Sequence, residues 1–256
     1  MKTTITLFLL LIVSTAFADL SYYAPDLSTK LNSHALKNDS LKIALFDKIS
    51  ANQKTLGYDG ARKIMFGKLF LKNDGSGNYI SDVYCQKKFG ASAGVGVGAI
   101  PNGIKINCEH TWPQSKFTSA FPTDTQKSDL HHLFPSDSRA NSIRGNDDFT
   151  DVSNDSGELA KNECNISKFG SSTTGNTDGF EPPLTHKGNV ARALFYFSVR
   201  YKISIPKNEE ETLRRWNDLD PVDQEEMNRN DAIEKAQGNR NPFIDFPALA
   251  HDISKF

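Results

Sequence analysis

The expected fold depends on the stretch Cys108-Glu109-His110-Thr111-Trp112-Pro113-Gln114-Ser115. The residues just before it, Ile104-Lys105-Ile106-Asn107, alternate apolar and polar side chains, which predicts a strand that ends at Glu109 and His110. Pro113 has no amide hydrogen to offer a neighbouring strand, so regular pairing stops there. We therefore expect a carboxylate and an imidazole side by side at the end of a strand.

A second polar segment, Asp129-Leu130-His131-His132-Leu133-Phe134-Pro135, is followed by Asn141, Arg144 and Asn146. Hydrolysis of a phosphodiester needs a base for water, positive charge near the phosphoryl oxygens, and support for the leaving oxygen. Neutral imidazole suits the first task, and carboxylate and amide oxygens are ligands that Mg²⁺ prefers. Together the two segments predict metal-assisted attack on a phosphodiester.

The N-terminus has the pattern of a secretory signal peptide. Lys2 gives a positive start, the apolar run from Ile5 to Val13 is too short to span a bilayer, and Ala16-Phe17-Ala18 fits a cleavage site. We expect residues 1–18 to be this signal and residues 19–256 to form a single domain. The product is then secreted or periplasmic, outside the membrane and monomeric.

The net charge argues against a protein that binds nucleic acid by its overall charge. The chain has 30 basic and 31 acidic side chains, and removal of Lys2 with the signal leaves 29 basic against 31 acidic. A nucleic-acid partner would therefore be met by a local basic patch.

Three cysteines, Cys85, Cys108 and Cys164, follow the expected signal. In an oxidising compartment one disulfide and one free thiol are expected, and all three pairings remain open. Their spacing does not fit a zinc site.

Apolar residues at helical spacing predict an N-terminal helix and a second helix from Val190 to Tyr201. The first of these is marked by Leu41, Ala44, Leu45 and Ile49. A third helix is expected to begin with Asp220 as its cap and Pro221 as its first residue, and to run toward Gly238.

Two further segments are expected to be loops. Residues 90–103 contain several glycines but lack the Lys-Ser/Thr of a phosphate-binding loop, which favours a mobile surface loop. Residues 146–179 are rich in Ser, Thr, Asn, Asp and Gly and are expected to form long surface loops.

Several isolated residues are expected to have no part in the chemistry. Trp112 and Phe134 are expected to be packing residues. His34, His186 and His251 belong to no cluster of functional residues and are expected at the surface.

The polar motifs, in their order and spacing, resemble the bacterial endonuclease I family of secreted or periplasmic nucleases with a ββα-metal (His-Me finger) site. Three later motifs match as well: Phe180-Glu181-Pro182-Pro183, Lys187-Gly188-Asn189-Val190-Ala191-Arg192, and Gln237-Gly238-Asn239-Arg240-Asn241-Pro242-Phe243-Ile244-Asp245. The resemblance covers nearly all of the chain from Leu41 onward. It implies an α+β fold, a single mixed domain built around a ββα-metal motif with peripheral helices.

The resemblance also implies roles for individual residues. His110 would be the general base that activates the attacking water. Glu109 and Asn141, the latter at the start of the finger's helix, would be ligands of Mg²⁺, with Mn²⁺ or Ca²⁺ as alternative ions. His131 and His132 would support the site or orient the substrate.

Arg144 lies three residues after Asn141, so the two would share one face of a helix. A phosphate contact and a salt bridge that steadies the motif both fit Arg144, and Asn146 is placed in the same supporting or substrate-binding group.

The source of the phosphate-binding cation is left open by the sequence. Members of the family carry an arginine between the catalytic histidine and the Asp-Leu-His segment, whereas residues 111–138 contain only Lys116 and Lys127 as cations. Lysine neutralises a phosphate as a point charge, not as a bidentate fork. Either one of these lysines binds the phosphate, or a distant arginine such as Arg192 or Arg240 does.

The sequence thus predicts an exported, largely sequence-nonspecific endonuclease that hydrolyses DNA to 5′-phosphate and 3′-hydroxyl ends, with RNA open as a second substrate. One alternative is a zinc-dependent phosphoesterase that uses His110, His131 and His132, although a His-Glu-x-x-His motif is missing. The other alternative is a nucleic-acid-binding module without catalysis. Activity with Zn²⁺ alone would favour the first, and DNA that is bound but never cut would favour the second.

Overall fold

The structure is a computed structural model that describes residues 20–174 and 177–256. The expected signal peptide, residues 1–18, lies outside them. The helices are α1 (Pro25–Asn32), α2 (Asn38–Ser50), α3 (Tyr58–Ile64, extended by a π-helical turn over Met65–Leu69), α4 (Thr123–Lys127), α5 (Ser138–Arg144), α6 (Leu184–Tyr201), α7 (Lys207–Leu219), α8 (Gln224–Gln237) and α9 (Pro242–Asp245). The strands are β1 (Lys72–Asn73), β2 (Asn78–Ser81), β3 (Lys88–Phe89), β4 (Ile106–His110), β5 (Leu133–Asp137), β6 (Val152–Asp155), β7 (Lys168–Ser172) and β8 (Asp178–Glu181).

Helices and small antiparallel sheets together give a mixed α+β architecture. The sheets of the described chain have the orders β1-β2-β3, β4-β5 and β6-β7-β8. In the two-stranded sheet Glu109 pairs with Phe134 and His110 with Leu133. The strand predicted from the alternation before His110 is therefore present, and its polar end lies beside β5.

The helix α5 follows β5 without a loop. Asp137 caps it, because its carboxylate accepts hydrogen bonds from the backbone amides of Arg139 (2.9 Å) and Ala140 (3.0 Å). Asn141 lies one turn into this helix, not at its start as expected. The strands β4 and β5, separated in sequence by residues 111–132, thus pair beside the helix that follows β5 directly.

The centre of the larger apolar core is α6, which is buried on almost every side. The ring of Trp112 stacks on Phe197 of this helix with centroids 5.1 Å apart. Trp112 and Phe134 are both buried, as predicted. The N-terminal helix is also confirmed as α2, whose Leu41, Leu45 and Ile49 are fully buried.

The predicted start of the C-terminal helix is wrong. The carboxylate of Asp223, not Asp220, caps α8 by accepting a hydrogen bond from the Glu226 amide at 2.7 Å. Asp220 instead follows the end of α7, a helix that the sequence analysis did not predict. The predicted end is correct, since Gly238 adopts a left-handed conformation with φ of 88°.

The expectation of long surface loops over residues 146–179 is also wrong, because β6, β7 and the start of β8 lie within this segment. Its many small residues, which suggested loops, allow close approach of the chain. A Cβ at Gly170 would lie only 2.1 Å from the carbonyl oxygen of Asn154 on the neighbouring strand. Glycine here fits a tight sheet as well as it fits a turn.

The glycine-rich segment 90–103 is packed against the π-helical extension of α3. The amide of Gly98 donates a hydrogen bond to the Gly67 carbonyl at 3.3 Å. A Cβ at Gly67 would lie 2.5 Å from the Gly98 nitrogen, so only glycine permits this approach. The contact fixes one end of the segment beside α3.

The cysteines form one disulfide and one free thiol, as expected. Cys85 bonds to Cys164 across a sequence separation of 79, and Cys108 is free. The bond ties the segment after β2 to the turn before β7.

No helix within the described part of the chain is both long enough and apolar enough to cross a bilayer.

The isolated histidines differ in burial. His34 and His251 are partly exposed and pair with Asp252 and Asp218. His186 is buried, with its ring centroid 4.8 Å from that of Phe134, so the expectation that it lies at the surface is wrong. Its aromatic neighbours, Phe134 of β5 and Tyr84, are distant in sequence and account for its burial.

Candidate active site

One open pocket of about 240 Å³ collects the polar residues at the end of β4 and on α5. Its walls include five of the predicted site residues, Glu109, His110, Asn141, Arg144 and Asn146. The loop after β4 contributes the rest of one wall through Pro113, Gln114 and Ser115. The pairing of β4 with β5 and the direct start of α5 place these side chains together.

The hydrogen bonds of His110 determine which ring nitrogen is free to act as a base. Its Nε2 lies 3.1 Å from the carbonyl oxygen of Lys127. A carbonyl can only accept, so Nε2 carries the proton and Nδ1 is left with its lone pair. The side-chain nitrogen of Gln114 donates a hydrogen bond to this Nδ1 lone pair at 3.3 Å. The ring is therefore held as the tautomer whose unprotonated nitrogen faces the pocket wall.

Burial, together with the smaller effect of the nearby His132, lowers the pKa of His110 from 6.5 to about 3. The two imidazole centroids are 5.4 Å apart, close enough for a charge on one ring to disfavour a charge on the other. At neutral pH His110 is therefore uncharged and able to accept a proton.

Glu109 and Arg144 form a buried ion pair beneath the pocket. The Arg144 Nη1 and Glu109 Oε1 atoms are 3.1 Å apart, with 2% and 1% of the side chains exposed. Burial raises the pKa of Glu109, and the Arg144 guanidinium opposes this rise. Arg144 also donates hydrogen bonds to the carbonyls of His110 (3.2 Å) and Thr111 (2.8 Å). Of the two roles left open for Arg144, the contacts favour the one that steadies the end of β4.

Asn141 is oriented by a neighbour from β4. Its side-chain nitrogen donates to the Asn107 Oδ1 at 2.7 Å. This leaves the carbonyl oxygen of the Asn141 amide available to a ligand. Asn107 and Glu109 lie on the same face of β4 because side chains alternate along a strand.

The donor set at the pocket fits a hard divalent cation. Glu109 Oε1 is buried and has no hydrogen-bond donor among the described residues, although it faces Arg144. The Glu109 carboxylate and the Asn141 amide oxygen line the same pocket, and oxygen ligands of this kind suit Mg²⁺, which keeps several of its own waters. No group of three or more His, Cys, Asp or Glu side chains that could hold a metal ion occurs within residues 20–174 and 177–256.

A family model described as Endonuclease I matches residues 37–248, which is most of the chain. The chain belongs to the endonuclease I family.

Two similar proteins are the extracellular ribonuclease of Bacillus subtilis (strain 168) and an extracellular deoxyribonuclease of Aeromonas hydrophila. The first is 39% identical over 168 residues, which are 57% of this chain and 53% of the relative. The second is 30% identical over 144 residues, or 56% of this chain and 60% of the relative. An Endonuclease-1 of Buchnera aphidicola subsp. Acyrthosiphon pisum (strain APS) is 29% identical over 119 residues, or 46% and 44%. The chain spans about half the length of these relatives.

The paired histidines of this endonuclease I family member lie behind the pocket and are fully buried. His132 Nε2 is 2.8 Å from the Gln126 carbonyl, and His131 Nε2 is 3.1 Å from the Asn239 carbonyl. Each ring thus holds a backbone segment. His132 also contacts His110, whereas His131 packs on Tyr196 with centroids 4.4 Å apart.

The buried carboxylate of Asp129 holds the turn that carries these histidines. It accepts a hydrogen bond from the His131 amide at 3.1 Å. It also accepts from side chains of three other parts of the chain, namely Gln53, Tyr196, Tyr201 and Gln237, at 2.7 to 2.9 Å. The hydrogen bonds to Asp129 therefore connect α6, α8 and the end of α2 to the back of the pocket.

The predicted cations lie in different surroundings. Lys116 pairs with Asp148 at 2.6 Å and is partly exposed. Lys127 contributes its carbonyl to His110, and its ammonium lies 4.3 Å from the Tyr58 ring centroid. Arg192 is fully buried and pairs with Glu226 at 2.6 Å. A buried and paired guanidinium cannot reach a polymer in solvent.

Arg240, the other distant arginine considered, is also buried. It pairs with Asp231, Glu234 and Asp245 at 2.6 to 2.9 Å. Neither distant arginine is therefore accessible to a phosphate.

Sequence reasoning missed four residues of this region. Asn107 orients Asn141, and Gln114 donates a hydrogen bond to the unprotonated nitrogen of His110. The alternation in β4 could have identified Asn107, because it shares a face with Glu109. Tyr58, whose ring centroid is 5.5 Å from that of His110, and Arg62 on the same helix come from a segment without any motif.

Proposed function

We propose that this protein is an exported endonuclease that hydrolyses phosphodiester bonds of DNA and RNA with little regard to sequence. The observation that carries the proposal is the arrangement of His110. Its Nε2 is tied to a backbone carbonyl, and its unprotonated Nδ1 accepts a hydrogen bond from Gln114, which lines the same pocket as Glu109, His110 and Asn141.

In this mechanism the Nδ1 atom of His110 removes a proton from a water molecule that attacks phosphorus. The imidazole is unprotonated at neutral pH because its pKa is lowered, so it is in the form that can accept a proton. The hydrogen bond from Nε2 to the Lys127 carbonyl stabilises the ring when Nδ1 gains the proton. Attack in line with the bond to the 3′ oxygen gives a 5′-phosphate and a 3′-hydroxyl.

Glu109 and Asn141 would hold the divalent cation, which we propose to be Mg²⁺. When bound, the cation supplies positive charge beside the phosphoryl and leaving oxygens. Asn107 keeps the Asn141 oxygen turned toward the pocket, and Arg144 keeps the Glu109 carboxylate beside it.

Two observations support broad specificity. The open pocket of about 240 Å³ is small and is lined mainly by polar side chains. The relatives include one named for ribonuclease and one named for deoxyribonuclease activity. Contacts to phosphate carry no sequence information. We therefore propose that both polymers are cut.

The names of the relatives also support export, since they are called extracellular or periplasmic nucleases. The apolar N-terminal segment and a disulfide between Cys85 and Cys164 suit an oxidising compartment. We propose that residues 1–18 are a cleaved signal peptide.

The test is nicking of supercoiled plasmid by residues 19–256, with and without EDTA, by the unchanged protein and by His110→Ala. Loss of a general base costs about 10²- to 10⁴-fold in rate. His251→Ala is the matched control, because this histidine is half exposed and pairs with Asp218 outside the pocket. Undiminished cutting by His110→Ala would refute the assignment of the base.

The metal and the two rivals are tested with the same assay. Protein freed of metal is expected to regain activity with Mg²⁺ or Mn²⁺. Recovery with Zn²⁺ alone would favour a zinc phosphoesterase. DNA that is retained in a gel shift yet stays intact with every divalent ion would favour a binding module.

A further inference from the structure

Two cations flank a single tyrosine ring beside the pocket. The guanidinium carbon of Arg62 is 4.5 Å from the Tyr58 ring centroid, and the ammonium of Lys127 is 4.3 Å from it. Tyr58 and Arg62 belong to α3, whereas Lys127 ends α4. Two helices distant in sequence therefore bring their positive charges to one place.

This cluster adjoins the proposed base. The Tyr58 and His110 rings have centroids 5.5 Å apart, and the Lys127 carbonyl accepts the hydrogen bond of His110. Both cations also act electrostatically on the thiol of Cys108, next to Glu109 in β4. The positive charge thus lies at the edge of the site and not across the surface.

The two cations differ in how they are neutralised. Arg62 pairs with Asp59 on its own helix, and 81% of the Asp59 side chain is exposed. Lys127 forms no ion pair with any residue that the structure describes. Surface pairs of this type contribute about 0–1 kcal/mol and are easily exchanged for a stronger anion. The cluster can therefore bind an anion from solvent at little cost.

We propose that Arg62 and Lys127, arranged around Tyr58, form a phosphate subsite that binds the nucleic-acid strand next to the cleaved position. This inference rests on the proposed nuclease function. The scissile phosphate belongs at Glu109, His110 and Asn141, whereas the residues that line that pocket do not include Arg62 or Lys127. The phosphate of a neighbouring nucleotide is the anion that a bound strand places there.

A subsite of this kind explains how a protein with a slight excess of acidic residues, and without an arginine in residues 111–138, binds a nucleic-acid strand. Lysine supplies a point charge, and the planar guanidinium of arginine can donate two parallel hydrogen bonds to the phosphate oxygens. Stacking on Tyr58 restrains both side chains, which lowers the entropy lost when a phosphate binds.

The test measures binding and cutting separately over a range of salt concentrations. Fluorescence anisotropy of a labelled oligonucleotide duplex in EDTA gives affinity without cleavage, and plasmid nicking gives KM and kcat. Arg62→Gln and Lys127→Gln should each raise Kd and KM about ten-fold, the loss expected for one charge-assisted hydrogen bond. Each should also lower the salt slope by about 0.9, while kcat stays within about two-fold. Arg62→Lys should keep most of the salt slope.

A variant that should strengthen binding provides a second test. Asp59→Asn removes the carboxylate that competes for Arg62, so it should tighten binding and lower KM. Asp26 and Lys30 on α1 provide a matched pair, since they are also exposed and ion-paired within one helix. Asp26→Asn and Lys30→Gln should leave Kd and the salt slope unchanged.

Three results would overturn the subsite. The first is an unchanged salt slope in both glutamine variants. The second is a loss of kcat at constant Kd, which would mean that the residues act only through the Tyr58–His110 contact. The third is an Asp59→Asn variant that binds no better than Asp26→Asn. Absence of any cleavage by the unchanged protein would instead refute the nuclease function, while the anisotropy series would still decide whether the phosphate subsite exists.

Discussion

Replacement of Arg144 by Met tests whether the buried ion pair holds the site together. Met retains much of the volume and removes the charge, so Glu109 loses its partner at 3.1 Å and two backbone carbonyls lose a donor. Breaking a buried pair costs about 3–5 kcal/mol because one charge is left without compensation. We expect the free energy of unfolding to fall by about 4 kcal/mol, and the melting temperature by roughly 8–16 °C.

Activity should be lost along with stability, for a separate reason. Without Arg144, burial raises the pKa of Glu109 further, and a protonated carboxyl group is a poor ligand for a divalent cation. The residual activity of Arg144→Met should therefore need more Mg²⁺, and the Mg²⁺ dependence of nicking at 25 °C measures this below the unfolding transition.

A double-mutant cycle completes the test. In Glu109→Gln/Arg144→Met no buried charge remains unpaired, so urea unfolding should show part of the lost stability restored. The coupling energy should lie in the upper part of the range of about 0.5–3 kcal/mol for residues in contact. Additive single effects, or a cost below about 1 kcal/mol for Arg144→Met, would refute the claim that this pair organises the end of β4.

Three further predictions concern stability. Burial lowers the pKa of native His186 from 6.5 to about 3, so the unfolded chain binds a proton at a higher pH than the folded chain does. The free energy of unfolding should therefore fall as the pH drops below about 6.5, by about 1.4 kcal/mol per pH unit. His186→Leu should lessen this pH dependence in urea titrations at pH 7 and pH 5, and an equal dependence would contradict the prediction. Serine at both Cys85 and Cys164 should cost about 4 kcal/mol in the same assay, given the separation of 79 residues. Arg192→Met should lower stability while the salt dependence of DNA binding stays unchanged, and a smaller salt slope would show that this arginine contacts phosphate after all.

The end of β4 could be predicted because its signals are local. Alternation of apolar and polar residues predicts a strand, and Pro113 predicts where its pairing stops. The family resemblance then assigned roles to Glu109 and His110, and the structure places both side chains in one pocket. Glu109 and His110 are adjacent in sequence at the end of one strand, whereas the placement of Asn141 beside them depends on the pairing of β4 with β5.

Other features escaped prediction because they depend on distant parts of the chain. The local sequence around Arg192 does not distinguish it from an exposed arginine on a helix. Its burial is explained by the ion pair with Glu226 on another helix. The sheet from β6 to β8 was not predicted because its glycines suggested loops, whereas the close approach of neighbouring strands requires them. Arg62 carries no motif at all, and its place near His110 follows from the packing of α3 against the site.

The hydrogen bonds to Asp129 make the pocket depend on residues far along the chain. One of its donors, Gln237, and the Asn239 carbonyl that His131 binds each lie 108 residues after their partner. A chain shortened before Gln237 would contain every residue of the pocket and would still lack these partners of the turn behind it. We expect such a chain to lose nicking activity, so the end of α8 supports the pocket from a distance.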